Sequence, residues 1–210
     1  MKILMQFFLL LLLVQQSQFT QEITSSKIWK YVTLETFENL ELDSSHFQSK
    51  IEEKPNFLFS TAFVSPKPGS KRSLLLRFNK ESNSETKIIF PKPILIKGFI
   101  SELQFQIYSS GTPGSLYYFM SGSDLTVRRL FLTDLNFQGW REIKTNIGIL
   151  FDQNDLLIGQ DSSLSFIGFL YIPEKDLAAS KEVLLGFDDI QARVRKKYKI
   201  LSDPGSLLQE

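Results

Sequence analysis

The sequence predicts an all-β fold, a two-sheet antiparallel β-sandwich of jelly-roll type. Three observations carry that reading. From Trp29 onward, short stretches place apolar side chains at every second position, the period of a half-buried strand. Gly, Pro, Asn and Asp punctuate these stretches, as turns between strands require. Phe occurs 19 times in 210 residues, and aromatic side chains suit a pleated, half-buried surface.

The elements follow in order. Phe57, Phe59, Thr61 and Phe63 share one side of an extended segment, which Pro66 to Gly69 breaks. Leu74, Leu76 and Phe78 alternate with Leu75, Arg77 and Asn79. After Pro91 and Pro93, one long strand is expected from Ile94 to Tyr108, with a bend or bulge at Gly98. In its second half Leu103, Phe105 and Ile107 face one way and Glu102, Gln104 and Gln106 the other. Gly111, Pro113 and Gly114 make a turn, and short strands follow at Tyr117 to Met120 and Thr126 to Leu132. Phe137-Gln138-Gly139-Trp140 opens a strand in which Ile143, Thr145 and Ile147 alternate with Glu142, Lys144 and Asn146. Leu164 to Ile172 is apolar on both faces, as in a central strand. A helical turn is expected at Asp176 to Lys181, and a last strand runs from Val183 to about Ile200, long enough to centre a sheet.

Composition excludes several function classes. With no cysteine, the chain has no disulfide, thiolate nucleophile or Cys-based metal site. A formal net charge of +1 gives the whole molecule no electrostatic reason to seek nucleic acid or an anionic membrane. Lys2, the apolar run Ile3 to Val14 and the polar Gln15 to Gln18 have the outline of a secretory signal. The run is short for a bilayer span, which needs about 20 residues. The organisation expected is a signal peptide over residues 1–21, one sandwich domain over 22–202 and a flexible tail over 203–210. The mature chain is then exported and free of the membrane.

Three segments carry a family resemblance. Ile96 to Leu103 forms one strand, Leu135 to Ile143 an "L-x-F-x-G-W" hairpin built on Phe137, Gly139 and Trp140, and Phe187, Asp188 and Ile190 a closing "F-D-x-I" strand. In that order and spacing they resemble the FlaA-type outer-layer (sheath) proteins of the spirochaete periplasmic flagellum. The resemblance implies a structural subunit, without enzymatic activity or cofactor, that coats a flagellin-like core filament beside other sheath proteins in the periplasm. The chain departs from the family in being short with a brief tail. The "F-D-x-I" strand also resembles carbohydrate-binding jelly rolls, so a secreted, non-catalytic sugar-binding module is the alternative.

Candidate site residues follow from these two readings. For partner contact they are Phe166, Ile167, Phe169 and Tyr171 on the doubly apolar strand, and a basic stripe of Arg193, Arg195, Lys197 and Lys199 on the last one. For sugar stacking they are Trp140, Tyr117 and Tyr118, although Trp140, after a Gly turn, is expected in the core. Asp188 and Asp189 are weak calcium candidates; as strand neighbours they are expected to point to opposite faces. Asp152 and Asp155 are further carboxylates, and the single His46 allows no Ser-His-Asp triad beyond itself.

Overall fold

A computed structural model describes residues 29–52, 54–78, 84–111, 113–122, 124–151, 153, 164–174 and 182–196. Eleven strands run β1 (Lys30–Glu35), β2 (Phe47–Ser49), β3 (Asn56–Ser60), β4 (Ser73–Phe78), β5 (Thr86–Ile96), β6 (Phe99–Ser110), β7 (Gly114–Ser121), β8 (Val127–Asp134), β9 (Gln138–Asn146), β10 (Leu164–Pro173) and β11 (Val183–Arg195). A front sheet has the order β3-β4-β11-β6-β9, and β1 pairs with β11 beyond the end of β4. A back sheet has the order β2-β5-β10-β7-β8. Every pairing is antiparallel. The predicted two-sheet sandwich is the fold.

Alternation places the core. Leu103, Phe105 and Ile107 of β6 and Leu185, Phe187 and Ile190 of β11 are buried on the inner side of the front sheet. Leu116, Tyr118 and Met120 of β7 and Phe166, Phe169 and Tyr171 of β10 meet them from the back sheet. Rings join across the interface: Phe169 lies 4.5 Å from Phe187 and 5.8 Å from Phe105, and Tyr118 lies 5.5 Å from Phe105. Burial pushes the Tyr118 hydroxyl up to about 12 and that of Tyr171 higher still, because the dry interior disfavours the phenolate.

β10 is central in the back sheet and β11 in the front sheet, as their apolar content and length implied. The stretch from Ile94 to Tyr108 is not one strand. β5 ends at Ile96 and β6 begins at Phe99, and the chain crosses between the sheets at Gly98. A side chain at Gly98 would meet the Arg195 carbonyl oxygen at 2.6 Å, and its φ of +95° favours glycine. Pro91 and Pro93 lie within β5, where the pairing to β10 jumps from Ile89 to Ile94. A proline cannot donate to a ladder, and the irregularity is where two are tolerated.

Phe166, Phe169 and Tyr171 are therefore core residues and not a partner surface. Ile167 alone of that set stands outside the core, half-buried at the bulge between Phe166 and Gly168. The expected helical turn at 176–181 lies outside the described residues, as do residues 1–28 and 197–210. Truncating Phe169 to Ala is expected to cost about 3–5 kcal/mol, and Ile167→Ala about 1 kcal/mol or less, by urea unfolding. Equal losses would contradict this division between core and surface.

Candidate functional site

The outer face of the front sheet gathers the side chains that alternate with its core. β6 presents Glu102, Gln104, Gln106 and Tyr108, and register sets them opposite Asn146, Lys144, Glu142 and Trp140 of β9. On the other flank of β6, β11 presents Gly186, Asp188, Gln191 and Arg193, and β1 adds Tyr31 and Thr33 beside the last two.

One end of this face is aromatic. Trp140 and Tyr108 stand opposite each other with ring centres 5.7 Å apart. Phe63, from the β3–β4 connection, packs edge-on to Tyr108 at 4.6 Å and 5.9 Å from Trp140. The indole reaches across to β11, where Gly186 makes room for it. A β-carbon there would sit 2.9 Å from Tyr108 Cβ and 3.2 Å from the tip of the Trp140 ring. Trp140 is thus half-buried on the outside of the sheet, not in the core as its position after a Gly turn suggested.

Beyond the rings lies a polar row. The Glu142 carboxylate accepts from Gln104 Nε2 and Gln106 Nε2 at 2.5 and 3.2 Å, and pairs with Lys144 Nζ at 3.2 Å. The hydrogen bond that it donates to Glu142, and then the charge of that carboxylate, hold the Lys144 ammonium above its usual value. Both glutamine side chains are buried beside a shared carboxylate, which fixes which amide atom is nitrogen. At the far end Tyr31 donates to Glu102 at 2.9 Å, and Gln191 donates to Thr33 at 3.3 Å. From Tyr108 to Glu102 the row spans about 20 Å at the rise of an antiparallel strand.

Asp188 and Asp189 sit beside this row, beneath the connection that carries Phe63. They do not point to opposite faces. A β-bulge places Asp189 at φ 39° between the paired residues Asp188 and Ile190, which breaks the alternation. Asp188 Oδ2 accepts from Ser65 N at 3.0 Å and Ser70 Oγ at 2.5 Å, and Lys67 Nζ lies 3.5 Å from Asp189 Oδ2. Ser65 Oγ, Lys67 Nζ and Asp188 Oδ1 are buried there without a hydrogen-bond partner. The cation beside Asp189 is the Lys67 ammonium, and among the described residues no three His, Asp or Glu side chains converge on a metal position. Loss of water raises the Asp189 carboxyl, which Lys67 partly offsets.

The remaining candidates scatter. Tyr118 is core, while Tyr117 lies on the outer face of the back sheet, 5.5 Å from Phe131 and under the Arg129 guanidinium. The three aromatics proposed for stacking therefore share no surface. Arg193 is half-buried, and Arg195 is buried with its guanidinium over Phe99 at 4.3 Å and Trp29 at 5.3 Å. These two do not form the exposed basic stripe expected for partner contact, and Lys197 and Lys199 lie outside the described residues, as do Asp152 and Asp155. His46 accepts from Asp43 N at 3.1 Å and closes a single 3-10 turn. That turn borders a groove of about 860 Å³ lined by Glu35, Glu41 and Asp43, of which Glu35 and Asp43 are engaged by backbone N–H groups.

No family model matches the chain, and no curated protein matches it. Solved structures similar to the chain include carbohydrate-binding modules. One is the family 11 module of the cellulosomal cellulase Lic26A-Cel5E of Clostridium thermocellum, at 11% identity and a TM-score of 0.41, over 83% of this chain and 98% of that one. Another is a family 29 module, at 8% identity and a TM-score of 0.33, over 83% and 99%. The likeness is one of β-sandwich fold.

Two measurements check the site. Gly186→Ala should destabilise by about 1–3 kcal/mol and shift the tryptophan emission, because Trp140 must move. For Asp189, the folded chain holds the proton more tightly than the unfolded chain. Its contribution to stability is complete below the ordinary aspartate value of 3.8 and is lost as pH rises through the folded value. Asp189→Asn should remove that decline, so that wild type loses stability relative to the variant as pH climbs from 3.8. Parallel pH profiles would contradict the burial of a charged carboxylate there.

Proposed function

We propose that this chain is an exported, non-catalytic module that binds a polysaccharide along the outer face of its front sheet. The observation that carries the reading is the Trp140 indole laid over Gly186 beside Tyr108, at one end of the Gln106, Glu142 and Gln104 row. A sugar ring offers an apolar C–H face and a rim of hydroxyls. An aromatic ring meets the first, and amides and a carboxylate meet the second, the ionised group with the stronger bonds. The row is preorganised, since its members already hold one another, and little side-chain freedom remains to be lost on binding.

The same geometry supports binding without hydrolysis. Glycoside cleavage uses two carboxyl groups converging on one bond. Here Glu142 stands among amides and a lysine, Asp188 is held by Ser65 and Ser70 under the connection, and Glu102 is engaged by Tyr31 at the far end.

Affinity electrophoresis through gels containing soluble β-glucans, xylan or peptidoglycan fragments tests this. At least one polymer should retard the chain. Trp140→Ala should weaken binding about 30-fold, the size of an anchor worth 2 kcal/mol, and Glu142→Ala should weaken it as well. Migration unaffected by every polymer, or retardation indifferent to Trp140, would sink the reading.

A second reading, the periplasmic flagellar sheath subunit, draws support from the outer face of the back sheet. Phe131 is 52% exposed there and packs on Tyr117, and Phe119 and Ile167 extend the apolar surface. Monomeric proteins seldom leave such a patch uncovered. Purified periplasmic flagella from the source cell, analysed by mass spectrometry, would contain the chain beside the flagellin-like core protein and other sheath proteins. Its absence from filaments would end this second reading.

A further inference from the structure

The end of the sandwich where β5, β7 and β11 finish carries the most exposed apolar side chains among the described residues. Leu125, in the β7–β8 turn, is 83% exposed, and Ile149, in the turn after β9, is 88% exposed. Val127 and Leu150 flank them, also exposed. These are protruding turns, not a groove. Leu125 has a φ of +58°, a left-handed conformation that Asn or Gly adopts at lower cost. Folding alone would favour another residue at that position.

The two turns are held as one unit. Arg128 donates to the Leu150 carbonyl at 2.6 Å, lies 3.4 Å from Asp124 Oδ2 and covers the buried Phe151 ring. The turn backbones are largely satisfied from within: Leu125 N donates to Gly122 O, Leu150 N to Ile147 O, and Ile147 N and Gly148 N to Ser101 O. A turn with paired backbone groups can leave water at small cost, whereas unpaired ones cannot.

Charge at this end points to the occupant. Lys97 at the sheet crossing, Lys196 after β11 and Lys30 at the start of β1 are all exposed around it. Among the described residues the acids at this end are engaged: Asp124 faces Arg128, and Glu102 accepts from Tyr31. Trp29 is half-buried at the same end, edge-on to Phe99, and indoles favour the boundary between water and hydrocarbon. The whole-chain net charge of +1 conceals the local excess of cations among the described residues.

We propose that this end is a membrane-contact tip, in which Leu125 and Ile149 enter the headgroup region of an anionic bilayer and the surrounding lysines meet its phosphates. Aliphatic spikes within a basic rim are the composition that interfacial binding requires. A protein partner would be met by a flatter or concave apolar surface.

Because the chain has no cysteine, a single introduced thiol reports on one place. The full chain is labelled with an environment-sensitive fluorophore at Ile149→Cys or, on β3 at the opposite end, at Leu58→Cys. Each is mixed with vesicles containing one-third phosphatidylglycerol or with pure phosphatidylcholine vesicles. The expected result is a blue shift and nitroxide-lipid quenching at position 149 and not at 58, several-fold stronger on the anionic vesicles and weakened by salt. Leu125→Asn, which relieves the left-handed turn, should keep the fold and reduce the response several-fold. The proposal is overturned if the chain does not bind, or binds with position 149 still in water. It is equally overturned if the response needs no vesicles and grows with protein concentration, which would assign the tip to a second copy of the chain.

Discussion

The contact between aromatic rings of opposite sheets is what the rest of the molecule depends on. Phe105 and Phe187 reach inward from the front sheet, and Phe166, Phe169 and Tyr118 from the back. No disulfide assists them, since the chain has no cysteine. In a strand, a side chain fixed inward fixes its neighbours outward. Burial of Phe105 sets Gln104 and Gln106 on the outer face, and burial of Phe187 sets Gly186 under the indole. The candidate sugar site is in this sense the reverse side of the core.

Parity of position made much of this legible in the sequence. The apolar set of β6 and the polar set behind it were readable as two faces, and Leu164 to Ile172 as a central strand. Trp140 could have been placed by the same rule. It has the parity of Glu142 and Lys144, which face outward, and its local Gly turn was the weaker signal. Three features were beyond period counting. The sheet crossing at Gly98 lies between stretches that both read as strand. The bulge at Asp189 breaks the alternation on which the opposite-faces argument for Asp188 and Asp189 stood. Phe63 and Lys67 enter through a connection whose path over the sheet depends on distant partners.

Electrostatics in this fold act locally. Lys67 beside Asp189 and Lys144 beside Glu142 each neutralise a carboxylate on or beside one face. That leaves the face nearly uncharged, with hydrogen-bonding groups dominant, while Lys30, Lys97 and Lys196 stand exposed at one end of the sandwich. A whole-chain charge near zero describes neither surface. Two distinct surfaces on a rigid scaffold can act together, one holding a polymer while another fixes the module's position.

Among the described residues, the central strand of the front sheet follows every other strand in sequence. β11 pairs with β1, β4 and β6, so neither half of that sheet can close before Val183–Arg195 is present. The front layer cannot assemble before that strand has left the ribosome, and long-range pairing of this kind is slow to form. Until then the strands that flank β11 have no common partner. An unclosed layer is one that a chaperone can hold, so the placement of a single strand sets the moment at which the front of the sandwich can fold.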